Sequence, residues 1–190
     1  MVFVADDSQA TTAFLAIIAG AMEPDKGTVK WGGSVKHSYF PKDHNDYFHG
    51  VDLNLIDWLR QYSEEQKEEF IRTFLGRMLF TGEESKKMAK VLSGGEKVRC
   101  MLSKLMLEEP QAMVLDGPTN HLDLESITSL NRALTKYEGT LLFASHDVEF
   151  IASLADRVVE LGPDKYVDRP INYNDYLNER AERLGLSPVA

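Results

Sequence analysis

Apolar positions along the chain fall into two alternating rhythms. Short runs rich in β-branched and aromatic residues, Met1–Ala5, "TVKW" and "SVKHSYF" around Gly32-Gly33, Ala112–Asp116, "TLLFA" over 140–144 and "RVVEL" over 157–161, have the length and composition of strands. Between them lie stretches with a helical period. Phe14, Leu15, Ile17, Ile18 and Ala21 mark one helix over Thr11–Ala21, and "EPDKG" at 23–27 is a turn. Leu53 to Leu79 is helical again, with Ser63 and Gln66 spaced as a capping box before Phe70, Ile71 and Phe74. A further helix follows "VLSGGE" as far as about Leu107. Another starts from Asp123 as its cap, runs through Ile127, Leu130 and Leu134 and ends at Gly139, and a last one covers Val148–Ala155. The alternation predicts an α/β fold: a mostly parallel sheet flanked by helices. The block over about 45–90 interrupts it and predicts an inserted helical subdomain.

The bulk numbers narrow the class. The 190 residues suit one domain with a small appendage, here expected as a domain over 1–177 and a tail over 178–190. A net charge of −9 argues against holding nucleic acid by charge alone, although a local basic face is compatible with it. The single Cys100 allows no internal disulfide, and no apolar run reaches the length of a membrane span. These features predict a cytoplasmic protein with no membrane partner. Because Met1–Ala5 is already a core-type strand, the chain is expected to be a piece of a longer one.

Chemistry concentrates in four segments. "LSGGE", Leu92–Glu96, stands directly before a helix, where two glycines admit a ligand close to the backbone and the helix start offers free N–H groups to an anion. The plainer alternative is a flexible loop with Ser93 as a helix cap. "VLD" at 114–116, "NHLD" at 120–123 and "SHD" at 145–147 follow in the order of a phosphate site built at the ends of parallel strands. Asp116 ends one strand and His146 follows another.

On these residues the chain resembles the ATP-binding cassette (ABC) ATPases, a P-loop NTPase fold. "LSGGE" is similar to the family signature, "AMVLD" to the Walker B strand, "PTNHLD" to the D-loop and "SHD" to the switch-histidine segment. The wording "DGPTNHLD", together with "DRPINYNDYL" at 168–177, resembles the ABC-F subfamily, soluble tandem-cassette proteins that mostly act on ribosomes. The resemblance implies ATP and Mg²⁺ as cofactors, a second cassette as partner, and the ribosome as a further one. It implies Asp116 and His146 as catalytic residues, Thr12 and Asp116 as metal ligands, and Thr12, Lys42, Ser93, Gly94, Gly95, Glu96 and Asp123 as nucleotide contacts.

The same resemblance exposes departures. Counting back from Gly20 places the phosphate loop over residues 5–12, where G-x-x-x-x-G-K-[ST] is expected and "ADDSQATT" stands. Ala5 and Ala10 replace glycines, Thr11 replaces the lysine, and only Thr12 keeps its hydroxyl. Asp6 and Asp7 set negative charge where a polyanion would lie. Gly117 stands where the family has a Glu that polarises water, a loss expected to cost on the order of 10²–10⁴ in rate. Lys42 stands where a glutamine is common. In the family two cassettes close head to tail over ATP, so Ser93, Gly94 and Gly95 are expected to serve a partner's nucleotide. Three readings remain open at this point: a cassette completing a partner's site, a fragment active only in its full assembly, and a non-enzymatic cassette-like interaction module. A transporter ATPase fits the D-loop wording less well.

Overall fold

The computed structural model describes residues 1–163 and 166–186. Six strands form one sheet: β1 (Val2–Ala5), β2 (His37–Phe40), β3 (Ala112–Asp116), β4 (Thr140–Ala144), β5 (Val158–Leu161) and β6 (Tyr166–Arg169), in the order β2-β3-β4-β1-β5-β6. The first five run parallel and β6 returns antiparallel to β5, so the fold class is the expected one.

Burial on both faces explains the near-continuous apolar strands. Side chains alternate between two cores: Val2, Met113, Leu115, Phe143 and Val158 pack on one face, and Phe3, Val114, Ala144 and Val159 on the other. Helix α1 (Ser8–Ile18) covers the second face through Leu15, which is fully buried. Truncating such a side chain to alanine costs about 2–5 kcal/mol. The first face carries α5 (Gly94–Glu108), α6 (Leu124–Thr135), α7 (Val148–Leu154) and α8 (Tyr173–Arg183).

Between β2 and α5 the chain makes only helical turns: α2 (Asn45–Phe48), α3 (Leu55–Arg60), α4 (Glu68–Arg77) and two short 3₁₀ segments, Gly82–Lys86 and Ala89–Val91. One isolated antiparallel bridge, Asn54 to Met88, ties this insert together. Trp58, Leu55, Leu59, Ile71 and Leu75 give it a core continuous with the sheet.

Several local expectations need correction. "TVKW" forms no strand, because no neighbouring strand offers it a ladder. Instead the Trp31 ring stacks on His37 at 4.5 Å and its indole N–H donates to the Ile18 carbonyl at 2.8 Å. Only the second half of "SVKHSYF" pairs, with β3. The box expected at Ser63 and Gln66 is not made. The Ser63 hydroxyl donates to the Glu65 carbonyl, the Gln66 amide to the Ser63 carbonyl, and α4 starts two residues after Gln66. Helix α6 stops at Thr135 rather than Gly139. Gly139 instead lets the chain pass Tyr137, whose hydroxyl would lie 2.2 Å from any Cβ there. The segment from 178, expected as a tail, is helical through Arg183, and residues 187–190 lie outside the described residues. Strand β6 was not expected; it pairs antiparallel with β5.

Candidate functional site

Parallel strands put their C-terminal ends, and the loops that follow, on one edge of the sheet, where α/β folds place their ligands. Asp116 ends β3 opposite Ala144 at the end of β4, and Phe40 at the end of β2 lies opposite Leu115. Lys42, Asp116, Gly117 and His146 therefore meet around one cavity of about 170 Å³, which Ser8, Thr11, Asn120, Tyr173 and Arg180 also line.

Asp116 is 4% exposed. Burial raises its pKa above the usual carboxylate value, and the neighbouring Thr12 hydroxyl, Lys42 and His146 pull the other way without cancelling it. Its Oδ2 and the Thr12 Oγ1 are both buried without a hydrogen bond of good geometry. Two orphaned oxygens side by side are the donor type that Mg²⁺ takes, so the residues present fit part of a metal shell. Among the described residues no cluster of three or more His, Cys, Asp or Glu side chains completes it.

Gly117 adopts φ +62°, and a Cβ built on it would lie 2.4 Å from the Asn120 side-chain nitrogen. The turn is held by Gly117 N–H donating to the Ala144 carbonyl at 2.9 Å and Asn120 N–H to the Gly117 carbonyl at 3.0 Å. Thr119 and Ser145 share a hydroxyl–hydroxyl bond of 2.9 Å, and Ser145 Oγ accepts from the Asp147 N–H at 3.1 Å. The segment after β3 is thus fastened to the segment carrying His146.

The phosphate-loop position shows the largest change. Strand β1 ends at Ala5 and α1 already begins at Ser8, three residues before the helix expected from Thr11. Asp7 caps the helix: its carboxylate accepts from the Gln9 N–H at 2.9 Å, and its backbone carbonyl accepts from the Ala10 N–H at 3.1 Å. The first amides that a phosphate would use are turned onto Asp7. Asp6 receives a hydrogen bond from Arg180 of α8 at 2.6 Å, and Arg180 also pairs with Glu160 at 3.4 Å. Sequence reasoning missed Arg180 and Tyr173. Arg180 lies 174 residues from Asp6, and no local spacing signals such a contact.

The remaining expected site residues gather elsewhere. Ser93, Gly95, Glu96 and Asp123 line a separate shallow cavity of about 220 Å³ with His121 and Arg99, and Gly94 lies against the His121 ring. Ser93 forms a full capping box. Its hydroxyl accepts from the Glu96 N–H at 3.3 Å, while its own N–H donates to the Glu96 carboxylate at 2.9 Å. Lys87 holds that carboxylate from the other side at 2.6 Å. The Ser93 hydroxyl is also hydrogen-bonded to the Glu96 carboxylate, and both Ser93 and Gly94 are exposed. Asp123 spends its carboxylate as the cap of α6, accepting from the Ser126 N–H at 2.8 Å, and this bond lowers its pKa.

The family model described as "ABC transporter" matches residues 11–120, more than half of the chain. The chain belongs to the ABC family. It is 54% identical over 176 residues to the uncharacterized ABC transporter ATP-binding protein YkpA of Bacillus subtilis, covering 92% of this chain and 33% of that protein. It is 32% identical over 172 residues to ABC transporter F family member 5 of Arabidopsis thaliana, covering 90% of this chain and 25% of the relative. This cassette therefore spans a third or less of the length of these relatives. A solved complex of archaeal ribosomal stalk protein aP1 and archaeal ribosome recycling factor aABCE1 contains a chain of the same fold, with a TM-score of 0.77 at 24% identity over 97% of this chain and 37% of that one. No helix among the described residues is long and apolar enough to cross a membrane.

Proposed function

We propose that this chain is an ABC-F-type cassette that lends its signature segment to the ATP site of a second, intact cassette and does not hydrolyse ATP at its own. The observation that carries this reading is the start of α1. With Ala5 ending the strand and Ser8 opening the helix, Asp6 and Asp7 are the whole connection, and Asp7 occupies the amides itself. A phosphate loop needs several free amides and its own lysine; here the Gln9 and Ala10 amides are turned onto Asp7 and Thr11 stands in the lysine's place. Thr12 and Asp116 would still hold Mg²⁺ from this side. The ion would screen phosphate charge there, but no cradle holds the phosphates against it.

The signature side supports the other half of the proposal. Ser93 stands exposed at the head of the fifteen-residue helix α5, whose first amides and dipole favour an anion. Such a site needs its phosphate delivered by another body, which is why a second cassette is the partner. A ribosomal setting in the cytoplasm follows from the resemblance of "DGPTNHLD" to the ABC-F subfamily, to which the F-family relative adds support for the subfamily.

The test is association. Mixed with an intact family cassette, the chain should co-sediment with it only when ATP is present, and Ser93→Arg should abolish this by filling the phosphate's place. Thr11→Lys, on the opposite half-site, should leave it unchanged. Association that is independent of ATP, or that survives Ser93→Arg, would favour an interaction module instead.

A further inference from the structure

At the opposite edge of the sheet, three helices end around one cavity. Helix α4 stops at Arg77, α5 at Glu108 and α6 at Thr135, and the space they enclose measures about 660 Å³. Its floor is apolar, made by Met106, Met113, Leu134 and the Tyr137 ring, with Met113 and Leu134 at 5% and 6% exposure. The polar groups that could serve a ligand within it are spent. The Tyr137 hydroxyl donates to the Pro110 carbonyl at 2.7 Å, and the Ser129 hydroxyl to the Arg77 carbonyl at 2.8 Å.

The mouth is different. Arg77, Arg132 and Lys136 line it, all exposed, and none has a carboxylate partner among the described residues. Among the nine arginines, Arg60, Arg72, Arg157, Arg169, Arg180 and Arg183 are ion-paired within the described residues, whereas Arg77, Arg132 and Arg99 are not, and Arg99 lies over the Phe80 ring instead. Glu109 is the sole carboxylate lining the cavity. Cations in the last turn of a helix offset its dipole, which accounts for Arg77 and Arg132 as charges. It does not account for an open cavity of ligand size floored by two methionines, adaptable side chains suited to varied apolar partners.

We infer that this cavity docks an acidic peptide segment, burying one bulky aliphatic or aromatic side chain against Met106 and Met113 while flanking carboxylates reach Arg77, Arg132 and Lys136. A small molecule confined to the cavity would leave the exposed cations unmet, so the occupant extends over the rim. A nucleotide base would lose the hydrogen bonds of its edges on this floor, because the Tyr137 and Ser129 hydroxyls are committed. Charge complementarity at the rim sets specificity and encounter rate, and the apolar anchor supplies most of the affinity. The site lies at the far edge of the sheet from Ser93 and Asp116, so its test is independent of the reading for ATP.

The probe is a synthetic ten-residue peptide alternating pairs of Glu or Asp with Leu and Phe. Controls are the same peptide with every acid replaced by lysine, and a ten-nucleotide uridine-rich RNA. Binding is followed by NMR of the chain labelled with ¹³C on its methionine methyls. The acidic peptide should shift the Met106 and Met113 methyls saturably and leave the other methionines unmoved. Arg132→Ala with Lys136→Ala should weaken it about tenfold, with the unliganded methyl spectrum unchanged. No shift at millimolar acidic peptide, an equal response to the lysine peptide, an affinity indifferent to the double substitution, or shifts produced by the RNA instead would each overturn the proposal.

Discussion

Gly95 lies so close to the D-loop that a methyl group placed on it would sit 2.7 Å from the His121 carbonyl oxygen. His121 itself is a non-glycine residue at φ +63°, so the turn has little freedom to withdraw. The second signature glycine is therefore needed first for packing. Gly95→Ala should cost about 1–3 kcal/mol of stability, as overpacking against backbone does. Gly94→Ala, whose Cβ would meet the His121 ring at an ordinary 3.9 Å, should stay within about 0.5 kcal/mol. Urea unfolding of the two variants checks this, and equal costs would refute it.

Asp116 is buried with a raised pKa and an unpartnered oxygen, so keeping it ionised costs stability. A carboxyl whose folded pKa is raised destabilises the fold as pH rises through that value. Asp116→Asn removes the charge and keeps the shape. The expected result at pH 7 is a rise of roughly 2–4 °C in Tm, the shift expected for about 1 kcal/mol in a chain of this size. A fall in Tm would mean that the carboxylate is already satisfied.

His44 is 8% exposed and burial lowers its pKa from 6.5 to about 4. Asp43 opposes that shift, while His121 and Lys97 add to it. Between those two pH values the unfolded chain takes up the proton and the folded chain does not. Stability is therefore complete above the unfolded value and drains away as pH falls towards the folded one. Tm should drop between pH 7 and pH 5, and His44→Gln should flatten that drop. An unchanged slope in the variant would contradict the assignment.

Most of the strand and helix order was legible because the central strands are apolar on both faces and helices such as α6 and α7 carry their own caps, Asp123 and Asp147. What the residues alone could not give was long-range geometry. "TVKW" has the composition of a strand but finds no ladder, and Ser63 has the spacing of a cap but bonds forward instead. At the candidate site, Lys42, Asp116 and His146 line one cavity. The shortened connection at Asp6 and Asp7 was not legible, because nothing in "ADDSQATT" says that the helix will start at Ser8. Arg180 was invisible for the reason already given, a partner at the other end of the chain.

Restoring the missing base alone should fail. At φ +62° any side chain at 117 carries about 1–2 kcal/mol of backbone strain, and Asn120 must also move out of its way. Gly117→Glu should therefore lower Tm and leave phosphate release from ATP at background, because the start of α1 is unchanged. Measurable turnover by this variant would show that the loop opens after all.

If one half of this cassette still serves ATP and the other does not, nucleotide stoichiometry reads both halves at once. The chain would be mixed with an intact family cassette whose catalytic Glu is replaced by Gln, with saturating Mg²⁺ and labelled ATP, and the complex isolated for counting. One ATP per pair of cassettes is expected, held between the partner's phosphate loop and Ser93. Two ATP per pair, with the second lost on Thr12→Ala, would contradict it.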